Sequence, residues 1–424
     1  MDAQTIIPLL SEFASCFTKA GYQHFVVMML SRMSLVGLPH SVTELMRHSG
    51  IYKEKHWTSV YWFMREGKYS CKALSQRLFE VLSKRLNLGD TLILAIDDTL
   101  VKKIGKSFFG LGYYLDPTDK NPGAHKRRVR GHCWVVLALL FEQGKQCFCF
   151  PLAALLFVPK KHCEKSWKFK SKIELAELLL QRFSWSSKKI LLLVDNLYAK
   201  GKLSFDIANV VMVSRLRSNA ALYELPKQPK KKKAGRPRLR GPKNKAHHLY
   251  RCRSKHQHLT LNIYGKTVQI KAFVDILMPS RTLGAQPILV VIFPQRTKKK
   301  VKMNVFFSTD LNMTPTRLLE LYALRFKIED LFDELKTFGG FKDCQQRSFP
   351  ALKRHATFTL MAYSLLRLLS LTVENSEHIE AMPWWKPSGI PSVTRIRRAL
   401  AKSILFSFPK TSKTDFYSNH DLAA

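Results

Sequence analysis

Two apolar runs in this chain end in carboxylates. Thr91–Ile96 is followed by Asp97-Asp98-Thr99, and Lys189–Val194 by Asp195. Short apolar runs without alternation read as strands buried on both faces. Active sites of α/β sheets collect at strand ends, and two carboxylates there can share a hard, oxygen-seeking cation such as Mg²⁺. An Asp after a strand can equally be a turn or helix-cap residue. A second group lies on a predicted helix over 314–337, with Thr314 as cap and Pro315 as first helical residue. Tyr322, Arg325, Glu329 and Lys336 are spaced by 3, 4 and 7 residues. At about 100° per residue they fall within roughly 60° of arc, on one face. Leu321, Leu324, Ile328, Leu331 and Leu335 form an apolar stripe beside them that can dock the helix on a sheet. Glu329 can then meet the aspartates while Arg325 and Lys336 bind phosphate. The alternative is a solvated face with an i,i+4 ion pair between Arg325 and Glu329. Asp333, on nearly the same face, competes for the acid role. Asp97 and Asp98 cannot easily act together, because successive strand residues point to opposite faces.

Charge narrows the partner. The 424 residues include 70 Lys+Arg against 31 Asp+Glu, a net charge of +39. That excess calls for a polyanion, DNA or RNA before an anionic membrane. At 46% hydrophobic residues the chain can build a sizeable core and is no disordered basic tail. No leader-like segment is expected at the N-terminus, and the longest apolar candidate, Cys147–Pro159, is 13 residues, too short to span a bilayer. The eight cysteines form no CxxC pair, which predicts reduced thiols and no structural zinc.

The elements that must position these groups follow from periodicity. Residues 1–88 read as a helical domain, and Ser41–Gly50 followed by 56–63 can be a DNA-reading helix-turn-helix or part of a plain bundle. Residues 89–216 read as strands (91–96, 132–141, 146–158 interrupted by Pro151, 189–194, 210–213) with a helix over 173–183. Residues 217–308 read as a basic β insertion. Within it Lys227–Lys255 holds 13 Lys and Arg and no acid, including Gly235-Arg-Pro-Arg238, and strands are predicted over 259–263, 268–276 and 287–293. The basic run, like His125–Arg130, reads as a phosphate-contacting loop ahead of a minor-groove reader. Residues 309–375 hold two helices, and 376–424 form a C-terminal segment with a polar tail.

The row Tyr322, Arg325, Glu329 and Lys336 resembles the YREK signature of bacterial insertion-sequence transposases of the DDE class, with Asp98, Asp195 and Glu329 in the order of the triad and a basic insertion before the Glu. The resemblance covers about 89–345. It implies an α/β, RNase H-like catalytic core in which Asp98, Asp195 and Glu329 bind two Mg²⁺ ions, with Mn²⁺ an alternative. It implies in-line attack at a phosphodiester by water and later by a DNA 3′-hydroxyl, without a covalent protein–DNA intermediate. Tyr322, Arg325 and Lys336 would grip the backbone at the transposon end. The family's Asp-Thr pairing favours Asp98 over Asp97. Where members stack a flipped base on an insertion tryptophan, this insertion has none, and Tyr250 or Tyr264 is the substitute. Implied partners are double-stranded DNA, as terminal inverted repeats and target, and a second copy of the chain in a homodimeric end complex. The implied location is the bacterial cytoplasm at the nucleoid, without membrane. A nuclease that cuts without joining and a non-enzymatic DNA-binding derivative are the rival functions.

Overall fold

The computed structural model describes residues 3–105, 107–116, 127–163, 168–183, 185, 188–203, 207, 209–226, 238–296, 301–372 and 389–407. Its first five helices are α1 (Ala3–Ser11), α2 (Lys19–Ser34), α3 (Val42–Ser49), α4 (Trp57–Glu66) and α5 (Cys71–Arg85). Local chemistry sets their ends. Thr18, Ser41 and Ser70 accept N-terminal amide hydrogens of α2, α3 and α5 through their side-chain oxygens. Gly50 closes α3 at φ 71°, a left-handed conformation that suits glycine. The helical reading of the first 88 residues is what the structure contains, and α3 and α4 stand on either side of the Gly50 turn.

The period then shifts to strands: β1 (Thr91–Lys102), β2 (Gly112–Leu115), β3 (Arg128–Gln143) and β4 (Gln146–Phe157), followed by α6 (Lys172–Gln181), β5 (Lys189–Val194) and β6 (Val210–Leu216). After β7 (Leu222–Tyr223), β8 (Lys243–Asn244) and α7 (Ala246–Leu249) come β9 (His256–Ile263), β10 (Lys266–Leu277), β11 (Ile288–Arg296) and β12 (Val301–Ser308). The chain continues through α8 (Pro315–Leu324), α9 (Phe326–Thr337), α10 (Phe349–Thr372) and α11 (Val393–Ser407).

One mixed sheet holds ten of these strands, in the order β2-β3-β1-β5-β6-β12-β11-β10-β9, with β4 also paired to β3. β1, β5 and β6 run parallel, and the flanking pairs are antiparallel. Pro151 does not end its strand. The β3–β4 register shifts between Leu137 and Ala138, opposite Pro151 and Ala153. An irregularity of this kind is where a residue without an N–H is tolerated. The polar insertion is also not a separate sheet. β12, which starts at Val301 directly after Lys298-Lys299-Lys300 in the sequence, pairs with β6 and joins β9–β11 to the central strands. That strand carries no apolar alternation at its start, so periodicity alone passes over it.

Helices cover both faces. α6 packs on β3 and β4 from one side, and α9 packs on β1 and β4 from the other. α10 is buried almost all round, lying between β4 and the N-terminal helices. Arg354 of α10 donates to the carbonyls of Phe63 (3.3 Å) and Met64 (3.2 Å) at the end of α4. Its guanidinium also stacks 4.4 Å from the Tyr69 ring. Arg32 of α2, fully buried, donates to Thr359 at 2.8 Å. The helical N-terminal part is thereby welded to the sheet. The polar tail from about 409 and Trp384–Trp385 lie outside the described residues.

Candidate active site

β1 and β5 position the first two carboxylates. Their parallel register places Ile96 opposite Val194, so Asp97 lies beside Asp195 where β5 ends; β1 itself runs on to Lys102, which makes Asp97-Asp98 mid-strand and not the strand end that the apolar run suggests. Side chains at matched positions of neighbouring strands project to one face. Asp97 faces α9, where its Oδ2 accepts a 2.8 Å hydrogen bond from the Arg325 guanidinium. A second Arg325 nitrogen donates to Glu329 one turn later. The Nε of Arg325 is buried and has no partner among the described residues. Glu329 remains 41% exposed, which leaves this end of the site open to a ligand.

Arg325 can bridge two carboxylates because of where it sits. The helix expected over 314–337 is divided there into α8 and α9, with Thr314 as cap and Pro315 in the first turn as the sequence predicts. Tyr322 anchors the joint from below. Its ring meets Phe306 of β12 edge-on at 4.8 Å, and the Arg325 guanidinium lies 5.6 Å from its centre. β12, the strand that periodicity misses, therefore seats Tyr322 and with it Arg325.

Asp98 goes to the other face. Its Oδ2 accepts from Lys172 of α6 (2.6 Å) and the Cys133 thiol (3.3 Å), and its Oδ1 from the Tyr198 hydroxyl (2.9 Å). The structure thus brings Asp97, Arg325 and Glu329 together and holds Asp98 apart from Arg325, while Asp195 interacts with the charge of both aspartates. Lys172, Tyr198 and Cys133 carry no motif that would have flagged them. Asp195 accepts the backbone N–H groups of Leu197 (2.9 Å) and Tyr198 (3.3 Å), a turn made by its own side chain. Lys336 is half-buried, with no hydrogen bond or ion pair among the described residues, and burial pushes its ammonium down. Asp333 is exposed at its side. Tyr264 sits exposed on the β9–β10 turn, its ring edge-on to Phe326 at 6.2 Å, whereas Tyr250 packs on His256 away from the row.

The electrostatics match a cluster of like charges. Burial pushes the Asp97 carboxyl up to about 7; Arg325 and the Asp98 N–H oppose this, and Asp195 adds to it. Burial also raises Asp195, against its two backbone donors. A carboxyl raised on folding binds its proton more tightly in the native state. Its contribution is fully present below the ordinary value of 3.8, and stability is lost as pH climbs from there towards 7. In the metal-free protein that loss should be on the order of a few kcal/mol. Asp97→Asn should flatten it, as measured by chemical denaturation at pH 4.5 and 7.5. An unchanged slope would place the Asp97 proton elsewhere.

Asp97, Asp195 and Glu329 are hard oxygen donors and fit a divalent cation in kind. Among the described residues no three His, Cys, Asp or Glu side chains stand in ligand-ready proximity. The Arg325 guanidinium instead neutralises two of the three, and it would have to yield Glu329 or Asp97 to a cation.

The family profile for DDE superfamily endonucleases matches residues 12–272, more than half of the chain. The match spans Asp97, Asp98 and Asp195 and stops before Glu329. No match was found among curated proteins. No helix among the described residues is long and apolar enough to cross a membrane. Membership supports a nuclease- or transposase-type activity and a DNA substrate: the chain belongs to the DDE superfamily endonucleases.

Proposed function

We propose that this protein is an insertion-sequence transposase that cuts DNA at transposon ends and joins the freed end to a target. The observation carrying this is Arg325 bridging Asp97 and Glu329, beside the end of β5 where Asp195 follows. The order β4-β3-β1-β5-β6, with β1, β5 and β6 parallel, supports an RNase H-like reading of the core. Asp97, Asp195 and Glu329 would hold two Mg²⁺ ions. Asp97 replaces Asp98 in the set, because Asp98 is committed to Lys172 and Tyr198 on the opposite face. Bound metal supplies Lewis-acid stabilisation and a nucleophile at neutral pH.

The chain's own groups do the rest. Arg325 keeps the metal-free carboxylates close, and once released its planar fork suits bidentate phosphate contact. Tyr322 fixes the direction of that fork from the β12 side. Lys336, near the Asp333 carboxylate but hydrogen-bonded to no described residue, is a point charge two turns beyond Glu329 for the next phosphate. Two copies of the chain would bring two ends together.

The test is sequential. Purified protein with Mg²⁺ should cleave DNA carrying the inverted repeats that flank its gene, then join the 3′ end to a second duplex. Cleavage without joining would make it a nuclease. Binding without either would make it a DNA-binding derivative. Binding should also be steeply salt-dependent, since +39 of charge rests on phosphate contacts and counterion release. Neutralising Lys230–Lys233, which lie outside the described residues, should lower the log–log salt slope by about 1 per lost contact and weaken all sequences alike. A loss confined to the terminal repeat would make that run a sequence reader.

A further inference from the structure

A groove in the helical N-terminal part is lined by none of the carboxylates of the candidate site. It is open, with a volume of about 1140 Å³. That is at or beyond the upper end for small-molecule sites, about 300–1,000 Å³, and suits a polymer segment better than a metabolite. Its wall is formed by α4 and by the segment 345–348 that leads from the end of α9 into α10.

Three features of the lining point to one kind of occupant. First, two tryptophans stand at its rim largely in solvent, Trp57 at 55% and Trp62 at 54% exposed. Large indoles this exposed are uncommon on a surface without a partner. Neither is needed for the core, which α4 reaches through Val60, Phe63 and Met64. Second, the lining is cationic, with Arg65 paired to Glu66 just outside it at 3.0 Å. Arg65, Lys68 and Arg347 line it and no Asp or Glu does. The N-terminal ends of α2, α3 and α4 open onto the same space, adding the positive end of each helix dipole. Third, two lining side chains have polar atoms that are buried and lack a hydrogen-bond partner, the Tyr69 hydroxyl and the Gln346 amide nitrogen. Buried polar groups are almost always paired, so this wall is short of acceptor oxygens.

Exposed aromatic faces beside positive charge are the requirements for binding unstacked bases and their phosphates. A closed duplex offers phosphates but no free base faces. We propose that this groove seats single-stranded DNA, stacking bases on Trp57 and Trp62 and holding the backbone with Arg65, Lys68 and Arg347. The inference deepens the proposed function and rests on that reading for the source of the strand. The 345–348 wall continues from α9, which carries Glu329 and Lys336, and the backbone N–H of Phe109 in the loop after β1 holds Arg347 O at 3.0 Å.

The experiment uses the full chain in metal-free buffer, so that binding is read without cleavage. The probes are a fluorescent single-stranded oligonucleotide of mixed sequence and the blunt duplex of the same sequence, compared at equal salt. Trp57→Ala/Trp62→Ala should weaken single-strand binding about tenfold or more per lost platform. Duplex binding should change less than twofold. Trp57→Phe/Trp62→Phe should restore most of the loss, because a smaller ring still stacks, and the melting temperature should be unchanged in both variants. Equal loss for both probes would overturn the proposal and make the groove a duplex seat. Unchanged single-strand affinity would also overturn it. Metal-dependent cleavage by the same preparations is read separately. Failure there with intact single-strand binding would sink the transposase reading and leave the groove standing.

Discussion

Asp97→Asn should abolish Mg²⁺-dependent cleavage, by about 10³-fold or more, while Asp98→Asn should keep much of it and lose stability instead. The two neighbours differ by one residue and by one face of the sheet. Asp97 meets Arg325, which also holds Glu329, and lies beside Asp195. Removing a ligand there forfeits several kcal/mol of metal-borne transition-state stabilisation, and each ~1.4 kcal/mol is a factor of ten. Asp195→Asn and Glu329→Gln should match it. All three should still bind DNA, because they hold metal rather than phosphate. Asp98 receives three donors from β3, α6 and the turn after β5. Asn in its place leaves the Lys172 ammonium without its carboxylate and one donor poorly matched, a cost of about 1–3 kcal/mol. The pair of measurements is cleavage rate beside urea denaturation for each variant. A dead but stable Asp98→Asn with an active Asp97→Asn would reverse the assignment and return the metal to Asp98, as the Asp-Thr pairing suggests.

Arg325→Ala should disrupt both the metal-free cluster and the DNA end complex. Only 14% of its side chain is exposed, so the usual near-zero worth of a surface ion pair does not apply. Burial works against its charge, but Tyr322, Asp97 and Glu329 more than offset that and raise its pKa. Deleting it leaves Asp97 and Glu329 facing each other without a cation. It also removes a charge-assisted bond pair to phosphate, worth about 1.5–3 kcal/mol per contact, or some tenfold to a hundredfold in end-complex affinity. Arg325→Lys should recover only part of this, since one ammonium cannot bridge two carboxylates or make a bidentate phosphate contact. Lys336→Ala should weaken the end complex less and leave the metal-free melting temperature unchanged. Gel shift on terminal-repeat DNA beside thermal unfolding separates the outcomes. Normal complexes from Arg325→Ala would reduce the row to a structural ion pair.

Much of this was legible because it is local. The Thr314 cap, the Ser41–Gly50 helix with its glycine stop and the apolar runs of β1 and β5 are each decided by residues within a turn or a strand, so periodicity and capping chemistry find them. The spacing of Tyr322, Arg325, Glu329 and Lys336 alone implies a shared face, and the charge of +39 alone implies a polyanionic partner. What remained hidden is non-local. A run reading Asp97-Asp98 shows that one carboxylate faces each way but not which way; the choice is made by the register of β1 against β5 and by Lys172 and Tyr198 arriving from α6 and the next turn. β12 has a polar start and is recognisable only through its pairing with β6 and the seat it gives Tyr322. The groove draws its lining from α2, α3, α4 and the 345–348 segment, distant in sequence, and no local pattern connects Trp57 with Arg347. Sequence determined which side chains this protein has for metal, phosphate and bases. Strand register and long-range packing decided which of them meet, because a side chain's direction is inherited from the neighbours of its backbone and not from its own identity.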